Sequence, residues 1–170
     1  MNNAVSKSGE SSPEARQVLT FSLGEEAYGV DILRVQEIRG WSPVTRIPQS
    51  SAHVLGVLNL RGSIVPIIDM RVRFSLEKAD FTPLTVIIVL SIQTASGRRE
   101  CGLVVDSVSD VLDISADAMR PAPNLGGNVS AELIEGLATV DNRMLILLNV
   151  DELVGRELGP VAQPLATAAA

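Results

Sequence analysis

Apolar and polar positions alternate from Val18 to Leu23, pause at Gly24-Glu25-Glu26, and resume from Tyr28 to Ile32. A period of two marks a strand with one buried face, and the short polar break predicts a hairpin. Val35 to Ile38 continues the alternation around Gln36. Gly40-Trp41-Ser42-Pro43 then interrupts it, and Val44 to Ile47 is expected to resume as strand. Pro48 to His53 reads as a loop or one helical turn. In the stretch Gly56 to Arg73, two apolar segments, Val57 to Leu60 and Ile64 to Ile68, flank Arg61-Gly62. That is a tight hairpin, with the glycine supplying positive φ. Pro66 lacks an N–H and is expected on an edge strand or at a bulge. Asp69 can cap the turn from Met70 to Phe74. One charge, Arg61, is thus held at the tip of an apolar ribbon, the layout of a docking surface.

Ser75 to Pro83 is polar and reads as a linker. Leu84 to Ile92 is a continuous apolar run of strand length, expected to be the central strand of a second sheet. Gln93 to Glu100 reads as a loop, Cys101 to Val105 and Val108 to Leu112 as strands, Ser115 to Met119 as a helical turn, and Arg120 to Gly127 as a loop. Ile134 to Val140 and Met144 to Val150 flank Asp141-Asn142 as a last hairpin, after which Asp151 can cap a short helix through Glu157.

The second half repeats the first. Gly29, Val30, Ile32, Val35, Glu37 and Ile38 fall opposite Gly102, Leu103, Val105, Val108, Asp110 and Val111 without a gap. Gly56, Leu60, Arg61-Gly62, Ile64 and Asp69 fall opposite Gly136, Val140, Asp141-Asn142, Met144 and Asn149, with asparagine as the other residue that tolerates positive φ. Five short strands per unit hide their edges best by closing. The expected fold is all-β: two small five-stranded β-barrels related by internal duplication, with short helical turns and a short C-terminal helix. Residues 1–16 are expected to form a disordered tail. Residues 17–153 are expected to form one domain of two intertwined barrel subdomains, about 17–82 and 83–153, and 154–170 a helix end and Ala-rich tail.

Composition narrows the function. At 46% hydrophobic and 3% aromatic, the 170-residue chain builds its core from Val, Ile and Leu. A net charge of −6 and a pI near 4.8 argue against a nucleic-acid partner. Cys101 is the single cysteine, which fits a reducing, cytoplasmic setting. The N-terminus has no apolar signal region, and the apolar run Val86 to Leu90 is far too short to span a bilayer. Catalysis finds little support. His53 has no patterned nucleophile beside it, Cys101 opens an apolar strand, and Glu25-Glu26 and Asp110 with Asp113 suit turns and solvated faces. There is no phosphate-binding glycine loop, and one His with one Cys makes no common zinc site, so neither enzyme activity, metal nor cofactor is expected. The opposite charges Glu37 and Arg61 can meet at a barrel rim, as a structural pair or a partner-facing one. Ile32, Val35, Val108 and Val111 are core by default; alternatively some line a groove between the barrels that takes an amphipathic helix.

The segments YGVDILRVQEI, VTRIP, GVLNLRGSIVPIIDMR, GLVVDSVSDVL, MRPAP and RMLILLNVDEL closely resemble the CheW-like adaptor family of bacterial chemotaxis, from about Val18 to Leu153. The resemblance implies SH3-like barrels, no catalytic activity, and an adaptor joining the cytoplasmic tips of transmembrane chemoreceptors to the regulatory domain of the histidine kinase CheA. It further implies receptor-binding positions at Val35, Glu37, Gly56, Arg61, Val108 and Val111, and kinase-facing positions at Val86 and Ile87. Glu37 and Arg61 match an ion pair near the Val44-Thr45 backbone. The implied chain is monomeric when free, with no nucleic acid and no direct membrane insertion, and lies in the cytoplasm at the receptor array. The alternatives are a CheW-like scaffold of a non-flagellar motility or developmental pathway and, from another class, a small-molecule-binding or hydrolytic β-barrel enzyme.

Overall fold

The computed structural model describes residues 16–48, 54–74, 80–94, 97–121 and 131–158. His53, most of the 75–83 segment, the tail to residue 15 and everything from residue 159 fall outside them. Strands β1 (Arg16–Leu23) and β2 (Glu26–Asp31) form the first hairpin, and a 3-10 turn, Ile32–Arg34, leads into β3 (Val35–Gly40). Asp31 starts that turn by accepting the Leu33 N–H at 2.9 Å. Then come β4 (Val54–Leu60), β5 (Ser63–Asp69) and helix α1 (Met70–Arg73). The second half supplies β6 (Val86–Thr94), β7 (Gly97–Val105), β8 (Ser107–Ile114), β9 (Met119–Arg120), β10 (Ile134–Val140), β11 (Arg143–Leu148) and helix α2 (Val150–Leu158).

The strands form two sheets, ordered β8-β1-β2-β11-β10-β9 and β3-β6-β7-β5-β4. The duplication makes β1 to β5 equivalent to β6, β7, β8, β10 and β11, and the two orders then become the same order with copies exchanged. The first hairpin of each repeat enters the sheet built from the other repeat's later strands, through parallel pairs of Gly29 with Leu147 and Gly102 with Ile67. A boundary at 82/83 therefore does not separate the sheets: each half of the sequence contributes to both.

Each sheet is drawn round on itself by the chain leaving its edge strand. Five residues past β3, Thr45 bonds Val57 of β4 on the opposite edge, at 3.0 and 2.8 Å. In the six-stranded sheet the chain leaving β8 at one edge returns at the opposite edge of that same sheet as β9, which pairs with β10. Val44 to Ile47 is therefore a bridge through Thr45 and not the expected strand, and β9 adds a sixth strand to one sheet.

Three cores follow. Leu60, Val65, Ile67, Ile87, Val89 and Val104 fill the five-stranded barrel, and Val18, Ile114, Ala138, Leu145 and Leu147 the six-stranded one. The largest lies between the sheets, joining Phe21, Leu23 and Tyr28 to Ile88, Leu90 and Leu103 under Leu153 and Val154 of α2. Successive β6 side chains alternate between barrel interior and inter-sheet core, which explains the unbroken apolar run of the sequence.

Further expectations are corrected. Residues 93–100 are no simple loop, because the β6–β7 ladder runs out to Thr94 opposite Gly97. Pro66 lies in β5, an interior strand, opposite Val57. Val57 spends both backbone groups on Thr45, so no bond to β4 is lost there, and pairing with β7 begins only at Ile67. The terminal helix is capped by Asn149, whose Oδ1 accepts the Glu152 N–H at 3.1 Å, and not by Asp151. Asn149 is the repeat equivalent of Asp69, which caps α1 through the Arg71 N–H at 3.0 Å.

Candidate functional site

The β4–β5 hairpin turns on Arg61 and Gly62, both with positive φ (52° and 89°), and the Gly62 N–H donates to Asn59 Oδ1 at 2.9 Å. A two-residue turn with both central residues left-handed matches the twist of the flanking strands. It also carries the Arg61 guanidinium out to Glu37, with which it forms an ion pair. Glu37 comes from β3, at the opposite edge of the same sheet, and closure of the barrel brings the two edges together. A bulge between Val35 and Glu37, opposite Leu90 and Val89, re-aims the carboxylate toward the barrel mouth. The Arg61 hydrogen bond holds the Glu37 carboxyl below its ordinary range against a smaller opposing effect of desolvation, helped by the charges of Arg61 and Arg39. Arg39 Nη1 also approaches Glu37 at 3.4 Å.

The backbone of Val44-Thr45 meets Gly56. A Cβ there would lie 2.1 Å from the Thr45 carbonyl oxygen and 2.7 Å from its carbon. Gly56 thus permits the bridge that closes the barrel. Gly56, which the resemblance implied as a receptor-binding position, therefore has a structural requirement inside the fold.

Val35 and Val108 are half-buried and pack against the inter-sheet core, and Val111 is 48% exposed. The last two share a face of β8 because a bulge sets Val108 opposite Phe21 and Val111 opposite Leu19. Val111 is thus not core. Ile32 is half-buried and, like Val35 and Val108, packs against the inter-sheet core, and Leu33, the next residue, is 86% exposed. Val86 is half-buried at the start of β6. Ile87 is completely buried inside the five-stranded barrel, so its side chain reaches no partner and that assignment is corrected. The apolar run of β6 concealed which of its residues faced outward.

The sequence reading missed a second cluster. Arg71 is fully buried and donates to both oxygens of buried Asp69, at 2.8 and 3.1 Å, and to Asp106 Oδ1 at 3.2 Å. Its guanidinium lies 4.9 Å from the Phe81 ring centroid, and Phe81 stacks on Trp41 at 4.0 Å. Burial opposes the charge on Arg71, but the bonds and charges of Asp69 and Asp106 outweigh it and raise the pKa. Asp106 Oδ2 also accepts the Gly24 N–H at 2.7 Å, so one carboxylate ties α1 to the β1–β2 turn of the other sheet. The sequence signal was an arginine two residues after a capping aspartate, which helix-end chemistry already accounted for.

Cys101 is buried within the inter-sheet core. Among the described residues no three His, Cys, Asp or Glu side chains gather to hold a metal, and no helix is long and apolar enough to cross a membrane. The arrangement presents apolar and charged side chains at the ends and junction of two fused barrels.

The profile of the CheW-like domain matches residues 17–158. The chain is 46% identical over 142 residues to the chemotaxis protein CheW of Klebsiella aerogenes, covering 84% of this chain and 83% of that one. It is 38% identical over 138 residues to a probable chemotaxis protein CheW of Rhizobium etli, covering 81% and 86%. The crystal structure of the scaffolding protein TtCheW from Thermoanaerobacter tengcongensis superimposes with a TM-score of 0.72 at 31% identity, covering 82% of this chain and 88% of that one.

Proposed function

We propose, from the premise that this chain belongs to the CheW-like family and is a non-enzymatic chemotaxis scaffold, that it couples the cytoplasmic tips of chemoreceptors to the histidine kinase CheA. The observation that carries the proposal is the match along both barrels to relatives named for chemotaxis and scaffolding. The geometry supports it: a continuous core between the sheets makes two outward faces parts of one rigid body, which linkage requires if one partner is to bias the other. In this reading the receptor helix lies along Val35, Val108 and Val111, with Glu37, Gly56 and Arg61 shaping the adjoining rim, and the kinase regulatory domain approaches the Val86 side. The scaffold works in the cytoplasm beside the membrane array, without entering the bilayer. The test is reconstitution from purified receptor cytoplasmic fragment, kinase regulatory domain and this chain. A ternary complex is expected, with Val111→Glu weakening receptor capture at least about tenfold, or about 1.4 kcal/mol. Absence of a ternary complex, or an undiminished affinity in the folded variant, would refute the arrangement.

A further inference from the structure

The duplication allows the two barrel mouths to be compared position by position. In the five-stranded barrel the mouth is a hollow of about 120 Å³ whose acids are answered by the chain's own arginines: Glu37 by Arg61 and Arg39, Glu100 by Arg98. The six-stranded barrel has a hollow of about 130 Å³ in the equivalent place. There the repeat sets Asp110 where the first mouth has Glu37, and Asp141 where it has Arg61. The turn geometry is conserved between them, with φ 53° at Asp141 and 52° at Arg61, so the charge has changed and the backbone has not. Thr20 Oγ1 bonds both the N–H and the C=O of Asp110 at 3.0 Å, which fixes the strand carrying that carboxylate. Among the described residues neither aspartate has an ion-pair partner, and Arg143, which also lines the hollow, pairs with neither. Leu112 and Val140 supply apolar lining, and Met144 stands 52% exposed at the lip.

We propose that the mouth of the six-stranded barrel receives an arginine side chain from a partner protein, taking in trans the place that Arg61 fills in cis at the other mouth. A guanidinium matches carboxylates with a planar fork of donors, and its aliphatic stem suits the Leu112, Val140 and Met144 surface. In a second copy of this chain the equivalent arginine, Arg61, is already paired with Glu37. The proposal adds a recognition element to the scaffold reading but does not need that reading to be tested.

The probe is N-acetyl-arginine methylamide, titrated into the isotope-labelled full chain and followed by amide NMR, with the citrulline analogue as a neutral control. Saturable shifts are expected at Asp110, Leu112, Asp141 and Met144, with citrulline binding at least about tenfold more weakly. Asp141→Arg fills the mouth from within and is expected to abolish them; if that variant does not fold, Asp110→Asn combined with Asp141→Asn serves instead. Arg61→Ala, which frees Glu37, is expected to add a second set of shifts at Glu37 and Leu60. No saturable shift, an equal response to the two probes, or undiminished binding after removal of the carboxylates would overturn the proposal.

Discussion

Arg61 occupies a left-handed backbone conformation that costs a non-glycine residue on the order of 1 kcal/mol, and its exposed side chain is committed to a single carboxylate. Replacing it with glycine removes the pair and relieves the backbone together. We expect Arg61→Gly to leave the melting temperature within a few degrees of the parent or to raise it. Carboxyl NMR is expected to show the Glu37 midpoint rising from its depressed position toward the usual value of about 4.3. Because the folded-state pKa is lowered, the pair's stabilising effect is present above the ordinary carboxylate range and is lost as pH falls through the folded value. A Glu37 midpoint unmoved by the substitution would show that Arg61 does not set it. This pair was legible in the sequence because two opposite charges stood on predicted strands of one barrel. Arg71 was not, since burial of an arginine depends on Asp106, 35 residues away, and on Phe81, whose placement beside it only the folded chain defines.

At the level of elements, the closing hairpins recur with the same bulge, between Val54 and Gly56 and between Ile134 and Gly136. Both glycines face the segment that closes their barrel, but not equally tightly. A Cβ on Gly56 falls 2.1 Å from the Thr45 carbonyl oxygen, and one on Gly136 falls 3.0 Å from that of Arg120. Gly56→Ala is therefore expected to lower stability by more than about 2 kcal/mol, and Gly136→Ala by less, in urea unfolding. Equal losses would remove the Thr45 contact as the cause. Both hairpins could be read from their turn dipeptides between apolar runs, and α1 from its aspartate cap. Val44 to Ile47 could not, because its alternation satisfies strand pairing although the segment forms an isolated bridge at Thr45 and not a ladder. Val111 likewise required the β8 bulge, which reverses the face that simple alternation assigns.

For the whole molecule, periodicity revealed that there are two equivalent units but not which copy of each strand pairs with which. A unit closing on itself and two units trading hairpins satisfy the same neighbour order, and the structure takes the second course. Fragments 1–78 and 79–170 made separately should therefore lack the amide spectrum of the intact chain, and mixing them should restore it as a one-to-one complex. A fragment that alone is monomeric and folded would show that its own strands close without exchange. The reciprocal trade is the relation found across the two-fold axis of a homodimer, here contained in one polypeptide. In a homodimer the two ends must be identical. Fusion removes that constraint, and among the described residues the mouths have diverged to an internally paired arginine at one and aspartates without an ion pair at the other. The molecule has thereby acquired a head and a tail, so any assembly it enters inherits a direction along which successive members can be added in only one sense.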